Sequence, residues 1–81
     1  MRTVKQVLES LDPPIKYKMH AFEGEISLRF MDDSVPASVE RILSKHELED
    51  PVQFRIIVLY AVNELRGKGS HAPLVRLPDW E

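Results

Sequence analysis

Apolar residues recur at helical spacing near the start of the chain. Four of them lie at positions i, i+3, i+4 and i+7, which form one face of a short helix: Val4, Val7, Leu8 and Leu11. Pro13 and Pro14 follow directly. Proline cannot continue the helical hydrogen-bond ladder and disfavours helix at the residue before it. The pattern therefore predicts a helix over residues 2–11.

The next segment alternates between apolar and polar residues, as a half-buried strand does. The apolar positions are Ile15, Tyr17 and Met19, then Ile26, Leu28 and Phe30. Between the two runs stands the pair Glu23-Gly24, and glycine readily adopts the positive φ of a tight hairpin turn. The alternation predicts a two-stranded β-hairpin over residues 15–21 and 25–31, with one buried face.

A helix-start signal follows the second strand. Asp33 or Ser34 is a suitable N-cap, and Pro36 suits the first turn, where its missing N–H costs nothing. Apolar residues then continue at near-helical spacing: Val35, Val39, Ile42 and Leu43. These signals predict a helix that begins after Asp33.

The strongest helix start in the chain is Asp50-Pro51-Val52-Gln53. Residues 54–62, "FRIIVLYAV", are rich in β-branched and aromatic residues and also fit a buried strand. The capping signal and the span of residues 51–66 favour a helix. Because this segment is apolar on almost every side, it needs cover on every side, and a second copy of the chain can supply that cover. A homodimer is therefore expected.

The last residues form an extended tail rather than a regular element. Four of them are apolar: Leu74, Val75, Leu77 and Trp80. Aromatic side chains, tryptophan above all, are enriched among the residues that dominate protein interfaces. We expect residues 1–67 to form one small α+β domain and residues 68–81 to form an arm that docks on the body or on a partner.

Length and composition limit the class of protein. Eighty-one residues make a single small domain, and the absence of cysteine excludes disulfides, thiolate metal sites and thiol nucleophiles. The longest apolar run, residues 56–62, is much shorter than the roughly 20 residues that cross a bilayer. With no secretory signal at the N-terminus, we expect a cytoplasmic protein that is not bound to a membrane.

Several polar clusters invite a chemical interpretation but fit a structural one better. The sequence His46-Glu47 lacks the second histidine of a zinc-protease motif, and its carboxylates suit a helix N-terminus. The pair Asp32-Asp33 fits a turn or a cap. We therefore assign no catalytic residue, no cofactor and no metal ligand, and we expect a protein that is not an enzyme.

One basic-aromatic cluster lies on the first predicted strand: Lys16, Tyr17, Lys18 and His20. Such a cluster can contact phosphate or RNA. Lysines on an edge strand also prevent aggregation through that edge. The second interpretation is favoured, although the first stays open.

Residues 25–66, beginning with "EISLRFMDD", resemble the ribbon-helix-helix family of DNA-binding proteins in their order of a strand, a helix, a short turn and an apolar helix. The resemblance implies that two copies pair residues 25–30 as an antiparallel ribbon in the major groove. In that arrangement Glu25, Ser27 and Arg29 face the bases.

Charge decides between the two functions that remain. The chain has a net charge of −2, and residues 25–67 hold five basic and eight acidic residues. Nucleic-acid binders usually carry a basic surface, because neutralising phosphates supplies much of their affinity. We therefore expect a non-catalytic protein-interaction module, an adaptor or inhibitor of another macromolecule. It is expected to bind its partner through a strand edge, the acidic loop at residues 47–50 and the four apolar residues of the tail. A dimeric DNA-binding regulator is the alternative.

Overall fold

The computed structural model describes residues 3–12 and 14–78, and in this part three antiparallel strands and three helices form a small α+β domain. The elements are α1 (Val4–Glu9), β1 (Lys16–Phe22), β2 (Glu25–Met31), β3 (Ser38–Ser44), α2 (Lys45–Glu49) and α3 (Pro51–Lys68). The strands lie in the order β1-β2-β3, with β2 in the centre of the sheet. The α+β class is confirmed, but the sheet has one strand more than the sequence predicted.

Helix α1 confirms the first predicted helix. Thr3 caps it through a reciprocal pair of hydrogen bonds: the Thr3 Oγ1 accepts from the Gln6 N–H, and the Thr3 N–H donates to Gln6 Oε1. Val7 and Leu8 are fully buried in the core. The apolar spacing therefore identified both the helix and its buried face.

The predicted hairpin is confirmed, with its first strand shifted by one residue. Lys16 pairs with Met31 at one end and Phe22 pairs with Glu25 at the other. The two turn residues, Glu23 and Gly24, both have positive φ angles, 47° and 82°. Positive φ at both central residues is the mark of a type I′ hairpin turn.

The helix predicted after Asp33 is wrong, because residues 38–44 form strand β3. This strand pairs with β2 over seven residues, from Glu25 opposite Ser44 to Met31 opposite Ser38. Val39 and Leu43 point into the core, and Arg41 lies between them on the same side. A charged residue at that position breaks the apolar alternation, so the spacing of the remaining apolar residues imitated a helix. The long Arg41 side chain carries its guanidinium to the edge of the core. There Arg41 Nη2 lies 3.1 Å from Glu64 Oε2 on α3, and both side chains are partly exposed.

The residues expected to cap that helix form a turn instead. Asp32 Oδ1 accepts hydrogen bonds from the Ser34 N–H at 2.8 Å and the Ser34 hydroxyl at 2.7 Å. The Val35 N–H donates to the Asp32 carbonyl oxygen at 3.0 Å. This aspartate-centred turn redirects the chain from β2 into β3.

Helix α3 confirms the predicted apolar helix and resolves the strand alternative for residues 54–62. Asp50 caps it by accepting from the N–H groups of Val52 and Gln53. Its buried side packs on the inner face of the sheet, where Leu28 and Phe30 are fully buried. Ahead of it, the short helix α2 has its own capping box between Ser44 and Glu47.

The start of the tail lies against α3. Asn63 and Arg66 on this helix hydrogen-bond the backbone of Leu74 and Ala72, respectively. Leu74 and Leu77 are half-buried against the core. Across the described ranges 3–12 and 14–78, none of the helices has the length and apolarity to cross a membrane.

Candidate functional site

One face of the sheet, which we call the outer face, is not covered by any element of the described residues. Helix α3 packs on the opposite face, and strict alternation along each strand sends every second side chain outward. The outer face comprises Lys16, Lys18, His20, Phe22, Glu25, Ser27, Arg29, Met31, Ser38, Glu40, Ile42 and Ser44. All of these residues are exposed or half-buried.

Polar side chains converge at the middle of the outer face. Lys18, Arg29 and Glu40 lie side by side across the three strands. Glu40 Oε2 accepts from Arg29 Nη2 and from Ser27 Oγ, both at 3.3 Å. Together with His20 these groups line a shallow depression of about 300 Å³. The Glu40 carboxylate therefore fixes the positions of the Arg29 guanidinium and the Ser27 hydroxyl on this face.

Large apolar side chains lie beside this polar centre. Phe22 and Ile42 are 65% and 62% exposed. With His20, Glu25 and Ser27 they line a second depression of about 350 Å³. Because His20 and Ser27 line both depressions, polar and apolar parts form one continuous surface.

The charges of the outer face are close to balanced. Arg29 pairs with Glu40, and Lys16 pairs with Asp33 at 3.0 Å, both at exposed positions where such pairs contribute little to stability. Lys18 makes no ion pair with any residue in the described ranges. In the described part of the chain, no three histidine or carboxylate side chains are grouped to hold a metal ion.

Strand β1 adds a free edge to this surface. It is an end strand of the sheet, and among residues 3–12 and 14–78 it pairs with β2 alone. The inner side of β1 is only partly covered: Tyr17 stacks on Phe30 with ring centroids 6.3 Å apart, while Met19 is 55% exposed and Ala21 is also exposed. Burial of the phenol raises the pKa of Tyr17 above its ordinary value.

The residues expected to contact DNA do share one surface. Glu25, Ser27 and Arg29 all lie on the outer face, as the alternation predicted. The structure brings Lys18 and His20 of the basic-aromatic cluster to the same face, which the sequence alone did not link to them. Both edges of β2 are occupied, by β1 and β3, so a ribbon formed by two copies of β2 requires one of these strands to leave.

The residues expected to bind a partner through the tail are divided. Leu74 and Leu77 pack on the chain's own core, whereas Val75 is 94% exposed. Trp80 lies outside the described residues. Sequence reasoning missed Asn63 and Arg66, which hydrogen-bond the tail. Both are polar residues near the C-terminal end of α3, where nothing in the sequence indicated that they bind the tail rather than face solvent.

A second apolar surface lies on α3. Val52, Ile56 and Tyr60 recur every fourth residue and are all exposed, which makes a stripe along one side of the helix. We call this the α3 stripe. The tail covers the neighbouring side, where Ile56, Leu59 and Leu77 contribute to a small groove of about 170 Å³. The stripe is the part of the apolar helix that neither the sheet nor the described part of the tail covers.

Comparisons with protein-family models, with curated proteins and with solved structures find no match for this chain. The ribbon-helix-helix resemblance therefore stays a prediction from the residue pattern.

Proposed function

We propose that this protein is a non-catalytic protein-interaction module, an adaptor or inhibitor of another macromolecule, whose principal binding surface is the outer face. The observation that carries the proposal is the exposure of Phe22 and Ile42 beside the oriented polar groups of Ser27, Arg29 and Glu40. Protein interfaces combine apolar anchors with surrounding polar groups in this way.

The shape of the outer face favours a macromolecular partner over a small molecule. Small-molecule sites are concave and enclose most of their ligand. The two depressions here are shallow, and the side chains that line them are exposed or half-buried. A partner protein can cover the whole face and desolvate its apolar residues together.

The test compares two matched substitutions at exposed aliphatic residues. Ile42→Lys places a charge on the outer face, and Val75→Lys places the same charge on the exposed part of the tail. In affinity capture from an extract of the source organism, we expect a defined partner to bind the wild type and the Val75→Lys variant but not Ile42→Lys. Equal capture by both variants removes the outer face from the proposal, and loss with Val75→Lys alone assigns binding to the tail.

The proposal includes a homodimer that forms through the α3 stripe. A chain of 81 residues builds a small core, and association is a common source of added stability for small domains. Val52, Ile56 and Tyr60 lie on one helical line, so a two-fold axis near Ile56 brings two stripes into contact over their full length. This contact leaves the outer face free, because α3 lies on the opposite side of the sheet.

The alternative function is DNA binding by the outer face. The observation that favours it is the presence of Lys18, His20 and Arg29 on one face with Ser27. Glu25 and Glu40 oppose it, since carboxylates repel phosphate. We expect no shift of duplex DNA at about 50 mM salt, where phosphate contacts are strongest. A shift that Arg29→Ala weakens would favour the regulator over the interaction module.

A further inference from the structure

We infer that the free edge of β1 accepts an extended peptide from the partner protein as a fourth strand, and that this peptide alternates acidic with apolar residues. The inference rests on the proposed function and specifies the chemistry of the partner. Three features of β1 carry it: an unpaired backbone edge, a row of basic side chains on one side, and exposed apolar side chains on the other.

The backbone of β1 has hydrogen-bonding capacity that the described residues leave unused. All seven of its residues pair with β2, yet no strand lies on its other edge. No further backbone hydrogen bond within the described residues involves Lys16–Phe22. Peptide recognition by strand addition uses such an edge, because its N–H and C=O groups bind a partner strand without regard to side chains.

The outer side of β1 selects for charge. Lys16, Lys18 and His20 follow one another at alternate positions, so their side chains project from one side of the strand. Arg29 lies next to Lys18 on β2. In a strand added to β1, every second side chain lies beside this row. Acidic side chains at those positions are attracted to Lys18, which has no ion pair within the described residues, and to Lys16, which already pairs with Asp33. Basic side chains there are repelled.

The inner side of β1 selects for apolar residues. Met19 and Ala21 face the side of the sheet that carries the core, but both are exposed. Helix α1 contacts β1, whereas the core helix α3 contacts β3 and β2. These contacts still leave Met19 55% exposed. The side chains of an added strand that do not lie beside the basic row point to the inner side. Apolar side chains at these positions pack on Met19 and extend the core. The two sides together call for alternation of acidic and apolar residues.

A second copy of β1 fits this edge poorly. Antiparallel pairing of two β1 strands over their full length is centred on Met19 and places Lys18 opposite His20 of the other copy. A register centred on Lys18 places that residue opposite its own copy, and like charges directly opposite in a sheet are destabilising. The row of basic side chains therefore disfavours self-association through this edge. It permits a heterologous acidic strand.

The experiment uses the full chain and fluorescent peptides of seven residues, the length of β1. The first peptide alternates Val and Glu, the second alternates Val and Lys, and the third has the composition of the first with its glutamates in one block. A fourth carries N-methyl groups on alternate amides of the first. Anisotropy at low salt measures affinity, and amide chemical shifts locate the binding site.

We expect the alternating Val-Glu peptide alone to bind, with shifts concentrated in residues 16–22. Lys18→Glu weakens its binding about fivefold, as expected for loss of one exposed charge pair and its replacement by repulsion. Lys45→Glu on α2 makes the same charge change away from β1 and leaves the affinity unchanged. The N-methylated peptide should not bind where its methyl groups replace the N–H groups that donate to β1, because an added strand depends on those hydrogen bonds.

Four results would overturn the inference: no binding of the Val-Glu peptide, equal binding of the Val-Lys or block peptide, shifts centred on β3 or α3, or insensitivity to Lys18→Glu. The proposed function is judged separately by Ile42→Lys, because Ile42 lies on β3 at the opposite edge of the sheet. Loss of capture with Ile42→Lys alongside failure of every peptide rejects the β1 inference and keeps the interaction module.

Discussion

The side chain of Asn63 pairs with the backbone of Leu74 through two hydrogen bonds. Asn63 Nδ2 donates to the Leu74 carbonyl oxygen at 2.8 Å, and the Leu74 N–H donates to Asn63 Oδ1 at 2.8 Å. The amide thus imitates a neighbouring strand for a single residue of the tail. Since both groups are partly buried, loss of either partner leaves a polar backbone group without compensation.

Asn63→Leu should therefore loosen the tail. We expect the free energy of unfolding to fall by about 1–3 kcal/mol, the cost of leaving buried polar groups unpaired. The Leu74 amide should exchange hydrogen faster, and trypsin should cleave after Arg76 more rapidly than in the wild type. Gln53→Ala, at an exposed position of the same helix, is the control. Unchanged exchange at Leu74 would show that Leu74 and Leu77 hold the tail by packing alone.

Arg66 ties the tail to the connection before β1. It is buried, with Nε donating to the Ala72 carbonyl oxygen at 2.9 Å and Nη1 donating to the Asp12 carbonyl oxygen at 3.0 Å. Arg66→Lys keeps the charge but loses the planar fork that reaches both carbonyls. We expect a loss of about 2 kcal/mol in chemical denaturation for Arg66→Lys, with a similar loss for Arg66→Met. A lysine variant as stable as the wild type would show that charge rather than geometry matters.

The sequence predicted the elements whose patterns were locally consistent. In α3 the apolar residues agreed with the capping residue Asp50, and in β2 the alternation of Ile26, Leu28 and Phe30 was unbroken. In α1 the apolar spacing predicted the helix, although its N-cap Thr3 lay inside the predicted range of residues 2–11. Strand β3 failed because Arg41 occupies an inward position and a proline two residues before the strand suggested a helix start. Pairing with seven residues of β2 overrides that local preference.

The outer face was predictable only in part. Alternation placed Ser27 and Arg29 outward, but their neighbours across the sheet depend on strand order and register. Glu40 and Ile42 were assigned to a helix. For this reason neither their position on the outer face nor the ion pair between Arg29 and Glu40 could be predicted from the sequence. The sequence did contain one further signal. Ser44 and Glu47 form a capping box that starts α2, and because β3 ends at Ser44 the same signal marks the end of that strand.

Stability should fall at alkaline pH through Tyr17. Burial raises its pKa in the folded state above the ordinary value of about 10, so the folded protein holds this proton more tightly than the unfolded chain. The stabilising contribution is complete below about pH 10 and is lost as the pH rises through the pKa of the folded state. Denaturation midpoints measured from pH 8 upward should show a smaller loss in Tyr17→Phe than in the wild type.

The exposed Tyr60 provides the control for this titration. Tyr60→Phe should leave the alkaline loss of stability unchanged, although other groups contribute to the loss in all three proteins. An identical pH dependence in the Tyr17→Phe variant and the wild type would contradict the role of Tyr17.

Association through the α3 stripe should depend on Tyr60 and Ile56. Both side chains are exposed on one line of the helix, and neither the sheet nor the described part of the tail covers them. Multi-angle light scattering of the wild type should give the mass of a dimer, about twice 9.4 kDa, at micromolar concentration. Tyr60→Glu introduces a charge where two stripes meet, so its mass should be that of the monomer while its circular dichroism is retained. Val75→Glu, which adds the same charge on the exposed tail, should remain dimeric. A monomeric wild type, or a Tyr60→Glu variant that remains dimeric, would show that the stripe does not receive a second copy.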